Sequence, residues 1–155
     1  MDRKIRNIIN ITVFLVCISL INIAGQNIEI EIRGMNAFTF ILIVAVLLQI
    51  IFFIPSFLLK TEKYYDLVGS LTYIATVSLA YFSVENKTMI DSVIYFYVMI
   101  WASRLGIYLF TRVRNVGKDV RFEKAKRHFF YFLQYWMGQA LWVSLTACAA
   151  IIAIL

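Results

Sequence analysis

Tyr97, Trp101, Arg104, Tyr108 and Arg112 follow one another at spacings of 4, 3, 4 and 4. In a helix such a series lies along one face. The surrounding residues are apolar, so this face is amphipathic within an oily run. Arg104 falls about 11 Å from the basic end of a helix read from about 91 to 111. An arginine near a helix end extends to the lipid headgroups. A deeper charge by default faces a bundle interior or a wet cavity. The stripe therefore reads as the wall of a polar cavity open toward the cytoplasm, or as an interfacial aromatic belt with a snorkelling arginine. A second face pairs with it: Tyr135, Gln139, Trp142 and Thr146, at spacings of 4, 3 and 4. The amides of Gln139 and Gln49 need partners in hydrocarbon, supplied either by a neighbouring helix or by a ligand.

These faces need helices in a membrane to hold them. The chain has 155 residues, 62% apolar and 15% charged, with a mean hydropathy of +0.80. Soluble domains are about 45–50% apolar and about 25% charged. A globule of this size cannot hide so much apolar surface, and disorder requires the opposite composition. The sequence is that of an integral membrane protein. Uncharged runs at about 8–24, 36–59, 67–84, 92–110 and 129–155 approach the roughly 20 apolar residues that span a bilayer. Strict alternation is absent, so they read as helices rather than barrel strands. The expected fold is all-α, five transmembrane helices in a single domain over 1–155.

Lysine and arginine set the orientation. Twelve lie in the N-terminal segment and the second and fourth loops, against two in the first and third. Basic residues favour the cytoplasmic side, so the N-terminus is expected in the cytoplasm and the C-terminus outside. The fourth loop, from Thr111 to His128, holds seven cations against Asp119 and Glu123, with a turn expected at Asn115-Val116-Gly117. It suits the orientation signal, anionic lipid or a phosphorylated cofactor held by arginine forks. The cluster from Phe129 to Trp136, next to Lys126-Arg127-His128, reads as an interfacial anchor. Gly69, Thr72, Thr76 and Ala80, Ala102 with Gly106, and Ala140 with Ser144 and Cys148 form stripes that let helices approach closely.

Other chemistries find no support. Cys17 and Cys148 lie in apolar runs and read as packing residues. His128, the single histidine, cannot build a zinc site, so no metal is expected. Dinucleotide and P-loop glycine motifs are absent, and no nucleic-acid partner is expected for a loop pressed to a membrane. The basic start followed by an apolar run also fits a cleavable signal, but Asn22 suits such a cut poorly.

Four stretches resemble the DUF1295 family, membrane proteins related to steroid 5-alpha-reductases. They are Lys60-Thr61-Glu62-Lys63-Tyr64-Tyr65-Asp66-Leu67-Val68-Gly69-Ser70-Leu71, the run from Trp101 through Arg104 and Tyr108 to Arg112, Gly117-Lys118-Asp119-Val120-Arg121-Phe122, and the run from Gln139 to Leu145. They stand in family order across roughly residues 50–146. The resemblance implies an NADPH-dependent reductase of carbon–carbon double bonds in hydrophobic, sterol- or enone-like lipids. Wider relatives include membrane methyltransferases that use S-adenosylmethionine.

By this resemblance Arg104, Arg112, Asp119 and Arg121 are the cofactor-binding candidates. Gln49, Tyr97, Trp101, Tyr108 and Gln139 would line the substrate cavity. Family members continue for about another hundred residues, with an Arg-His-Pro-Asn-Tyr-like signature that has no counterpart here. The chain is therefore read as the N-terminal half of a longer fold, truncated, split or shortened, and inactive alone. A complementing C-terminal half, the bilayer and a lipid-like substrate are the expected partners. The membrane would be a bacterial inner membrane or the endoplasmic reticulum. The competing reading is a small non-catalytic membrane protein packing with partner helices.

Overall fold

The computed structural model describes residues 3–116 and 120–155. Five long helices account for most of them: α1 (Arg3–Ile23), α2 (Ala37–Leu58), α3 (Tyr65–Ser83), α4 (Met89–Val116) and α5 (Phe129–Ile154). Short 3-10 turns at Val120–Phe122 and Ala125–Arg127 lead into α5. Four of these helices, α1, α2, α4 and α5, are long and apolar enough to cross a membrane. α3 is not among them. Its 19 residues include Ser70, Thr72, Thr76, Ser78 and Ser83, which lower its hydropathy while leaving its length near a membrane crossing.

Consecutive helices alternate in direction, and α3 packs against α2, α4 and α5. α1 packs mainly on α5. There the Phe14 ring packs over Gly138, and Asn10 Nδ2 donates to Gln134 Oε1 at 3.2 Å. The core has two parts. One, around Phe38, Ile41, Tyr73, Val77, Val143 and Ile151, joins α2 through α5. The other gathers Phe53, Phe122, Phe132 and Trp136 at the basic end of the bundle, their rings mostly edge-on.

The connectors are more ordered than the sequence predicts. Between α1 and α2, β1 (Glu31–Ile32) and β2 (Met35–Asn36) form a two-stranded antiparallel hairpin. Arg33 and Gly34 both have positive φ (54° and 75°) at its tip, as a tight hairpin turn requires. Asn36 then caps α2. Its Oδ1 accepts from Thr39 N at 3.1 Å, and its Nδ2 donates to the Gly25 and Ile28 carbonyls at 3.2 and 2.8 Å. α2 runs through Pro55 and ends with Lys60 in the left-handed region (φ 51°), closed by Lys60 N to Phe57 O and Thr61 N to Ser56 O. This is the helix-ending pattern that ordinarily takes glycine.

The end of α4 departs from expectation. A turn was predicted at 115–117, yet Asn115 and Val116 are helical. Past the apolar run, Thr111 Oγ1 bonds back to Ile107 O and Arg112 reaches Asp66 on α3. Both contacts favour continued winding of this polar segment.

Candidate functional site

The two faces singled out by spacing lie on either side of α3. At its basic end, Tyr65 Oη donates to the Tyr135 carbonyl of α5 at 2.9 Å, and Asp66 pairs with Arg112 of α4 at 3.5 Å. Two turns further along, Tyr73 meets both faces again. Its ring stands edge-on to Trp101 of α4, centroids 5.0 Å apart, and its hydroxyl lies 2.5 Å from Thr146 Oγ1 of α5. α3 is thus a spine with the α4 stripe on one flank and the α5 stripe on the other. Sequence reasoning missed Tyr73. Its only signal was a hydroxyl in an apolar run.

Glycines bring the flanks this close. A Cβ at Gly106 would stand 2.8 Å from Ser70 Cβ, and Ser70 Oγ donates to the Ala102 carbonyl. A Cβ at Gly69 would strike the Gln139 carboxamide. The stripes predicted as packing surfaces do pack, and they fix the height of the polar residues. Gly106 faces Ser70, five residues into α3, so Arg104 stands roughly 10 Å along the bundle from the start of α3.

Arg104, Tyr97, Trp101, Tyr108 and Arg112 do share one face, but within this chain it points outward. Tyr97 is 73% exposed and Tyr108 64%. Arg104 borders an open groove of about 790 Å³ with Ile100, Ser103, Ile107 and Tyr108. These helices alone leave Arg104 on an open groove and do not close a polar cavity over it. α4 turns its small residues, Ala102 and Gly106, into the α3 contact, which leaves the bulky polar stripe beside that contact and facing outward, with Trp101 and Arg112 reaching back to α3. Gln139 and Trp142 line a separate lateral groove of about 360 Å³ with Phe14, Tyr65 and Tyr135.

Gln49 lies elsewhere. It is 0% exposed between α2 and α3, where Nε2 donates to Thr72 Oγ1 at 2.8 Å, and Thr72 in turn donates to Val68 O. This bond ties helices together. The Gln49 Oε1, Gln139 Oε1 and Trp136 Nε1 atoms are buried without a partner among the described residues, so the seam between α2, α3 and α5 retains hydrogen-bonding capacity.

At the basic end many charges are neutralised. Glu62, 5% exposed, receives Lys126 at 2.8 Å, and Glu123 lies 4.0 Å from the same ammonium. The first quoted stretch therefore supplies counter-ions: Asp66 for Arg112 and Glu62 for Lys126. Arg121 lies beside the Phe122 ring, 5.3 Å from its centroid. Asp119 falls outside the described residues. Lys63 and Arg114, with the stacked rings of Tyr64 and Phe110, line a further pocket of about 290 Å³. Among the described residues no group of three or more His, Cys, Asp or Glu could hold a metal ion.

The two flanks present aromatic surface beside open grooves, with the Arg104 guanidinium at the edge of one of them. A family model described as a protein of unknown function (DUF1295) matches residues 52–155. Comparison with curated proteins and with solved structures gave no match.

Proposed function

This chain belongs to the DUF1295 family, and from that premise we propose that it forms one wall of a membrane reductase acting on carbon–carbon double bonds of sterol- or enone-like lipids. All five helices cross the bilayer in this reading, with the N-terminus in the cytoplasm and the C-terminus outside. The charge asymmetry supports that orientation, and α3 is shielded from lipid by α2, α4 and α5. The relation to steroid 5-alpha-reductases rests on the quoted motifs.

The observation that carries the reading is a guanidinium on an outward face roughly 10 Å along the bundle. Arg104 cannot stand in lipid without high cost, so further helices would cover the α4 stripe and close a wet site over it. Arg104 and Arg112 lie on one exposed face about 12 Å apart along the helix, so each would meet a phosphate of NADPH, Arg112 by exchanging its Asp66 carboxylate for one. NADPH supplies a hydride when bound. The chain's own part is to hold its phosphates with these arginines, with Arg121 at the rim, and to seat the lipid against Tyr97, Trp101, Tyr108 and Gln139. The Gln49 amide would act through the α2–α3 seam. Polarising an enone carbonyl requires a preorganised donor, and Tyr73, between both flanks, has the hydroxyl for it.

The same outward stripe favours a second reading, a non-catalytic protein whose α4 face docks partner helices. Titrating NADPH and S-adenosylmethionine against the chain assembled with its covering helices in nanodiscs separates the two. Saturable NADPH binding, lost in Arg104→Leu while insertion is unchanged, supports the reductase. Binding of S-adenosylmethionine instead moves the site to methyl transfer. Binding of neither ends the enzymatic reading.

A further inference from the structure

A different corner of the basic end has the makings of an anion site. The N-termini of α1 and α5 converge on a pocket of about 400 Å³, lined by Arg3, Lys4 and Asn7 from α1 and by Arg127, His128 and residues 129–131 from the start of α5. Among the described residues no carboxylate lines it. α5 carries no side-chain cap, and the N–H groups of Phe129, Phe130 and Tyr131 have no acceptor among the described residues. These groups form the positive end of a 26-residue helix dipole. Uncapped N–H groups beside arginines are a ready phosphate receptor.

Asn7 supplies independent evidence. It is 4% exposed, lines the pocket, and its carboxamide has no hydrogen-bond partner among the described residues. Buried amides of this kind are ordinarily satisfied, and here the open side is the pocket. Lys4 Nζ lies 5.5 Å from the Phe130 centroid, placing another cation at the mouth.

We infer that this pocket binds a phosphate group, gripped by Arg3 and Arg127, the α5 first-turn N–H groups and the Asn7 amide. The group belongs either to an anionic lipid headgroup at the membrane surface or to a small phosphorylated molecule. Asn7 and Arg3 lie outside the family match at 52–155, so the site is independent of the reductase reading and stands or falls separately.

The test uses the whole chain, ¹⁵N-labelled, in phosphatidylcholine nanodiscs. In one arm inorganic phosphate and glycerol 3-phosphate are titrated; in the other the discs carry increasing phosphatidic acid. Saturable shifts of the Phe129–Tyr131 amides and the Asn7 carboxamide are expected in one arm. Their appearance with the soluble phosphates identifies a small ligand, and their appearance only with phosphatidic acid identifies a headgroup. Arg3→Gln with Arg127→Gln should weaken binding about tenfold or more, since two charge-assisted bonds are lost. Lys63→Gln with Arg114→Gln removes equal charge elsewhere and should change it less than about twofold. Absence of saturable shifts at these amides in both arms of the unaltered protein overturns the inference. So does an equal loss in both double variants, which would mark a diffuse field.

Discussion

Gly106→Ala is the sharpest probe of the α3–α4 contact on which the position of Arg104 depends. The added methyl carbon would stand 2.8 Å from Ser70 Cβ, where carbon atoms rest at about 3.5–4.0 Å. Ser70 has little room to yield. It is 3% exposed and its hydroxyl is bonded to the Ala102 carbonyl one turn away. The helices must therefore separate by roughly 1 Å. Overpacking of this kind costs about 1–3 kcal/mol. Losing the Ser70 bond adds about 0.6 kcal/mol in a membrane, and replacing a helical glycine by alanine returns about 0.5–1 kcal/mol. The expected net loss is about 1–3 kcal/mol. It is measured as the shift in reversible unfolding of the chain in mixed micelles titrated with dodecyl sulfate and followed by tryptophan fluorescence. Ser70→Gly in the same molecule removes the opposing carbon and should recover roughly half the loss or more. A Gly106→Ala protein at least as stable as the parent, or a second substitution that recovers nothing, refutes the close approach.

Gln49→Leu keeps the side-chain volume, loses the bond to Thr72 and removes a buried carbonyl oxygen that has no partner among the described residues. In the isolated chain its stability should stay within about 1 kcal/mol of the parent or rise; a loss above about 2 kcal/mol would show that this oxygen has a partner after all. Lys60→Gly relieves a left-handed residue at the end of α2 and should stabilise by about 0.5–1 kcal/mol, raising the dodecyl sulfate midpoint; an unchanged or lower midpoint contradicts the strain at Lys60.

The helices were legible because hydrocarbon imposes a length and a composition, and the 3.6-residue period fixed which side chains share a face. Tyr97, Trp101, Arg104, Tyr108 and Arg112 do share one. Their direction was not legible, since a single helix does not reveal which neighbour takes its small side and which its bulky one. Ala102 and Gly106 decided that, and a stripe of small residues read alongside a stripe of large ones was the available clue. Gln49 was left between two roles because its partner, Thr72, sits 23 positions away on another helix. The Asp66–Arg112 and Glu62–Lys126 pairs were hidden for the same reason. The hairpin at Arg33–Gly34 occupies a loop whose residues have no strong strand pattern, and the pocket around Asn7 joins the first turns of helices more than a hundred residues apart.

That last separation has a consequence for biosynthesis. α1 finds its main support on α5, whose first residue, Phe129, follows Ile23 by 106 positions. At about 5–20 residues per second, a ribosome needs roughly 5–20 s to make the intervening chain. During that interval the first helix lacks this support, and Asn10 lacks the Gln134 partner it has in the folded chain. Temporary shelter beside the insertion machinery would be most valuable then, and a pause in translation before α5 would extend that exposure.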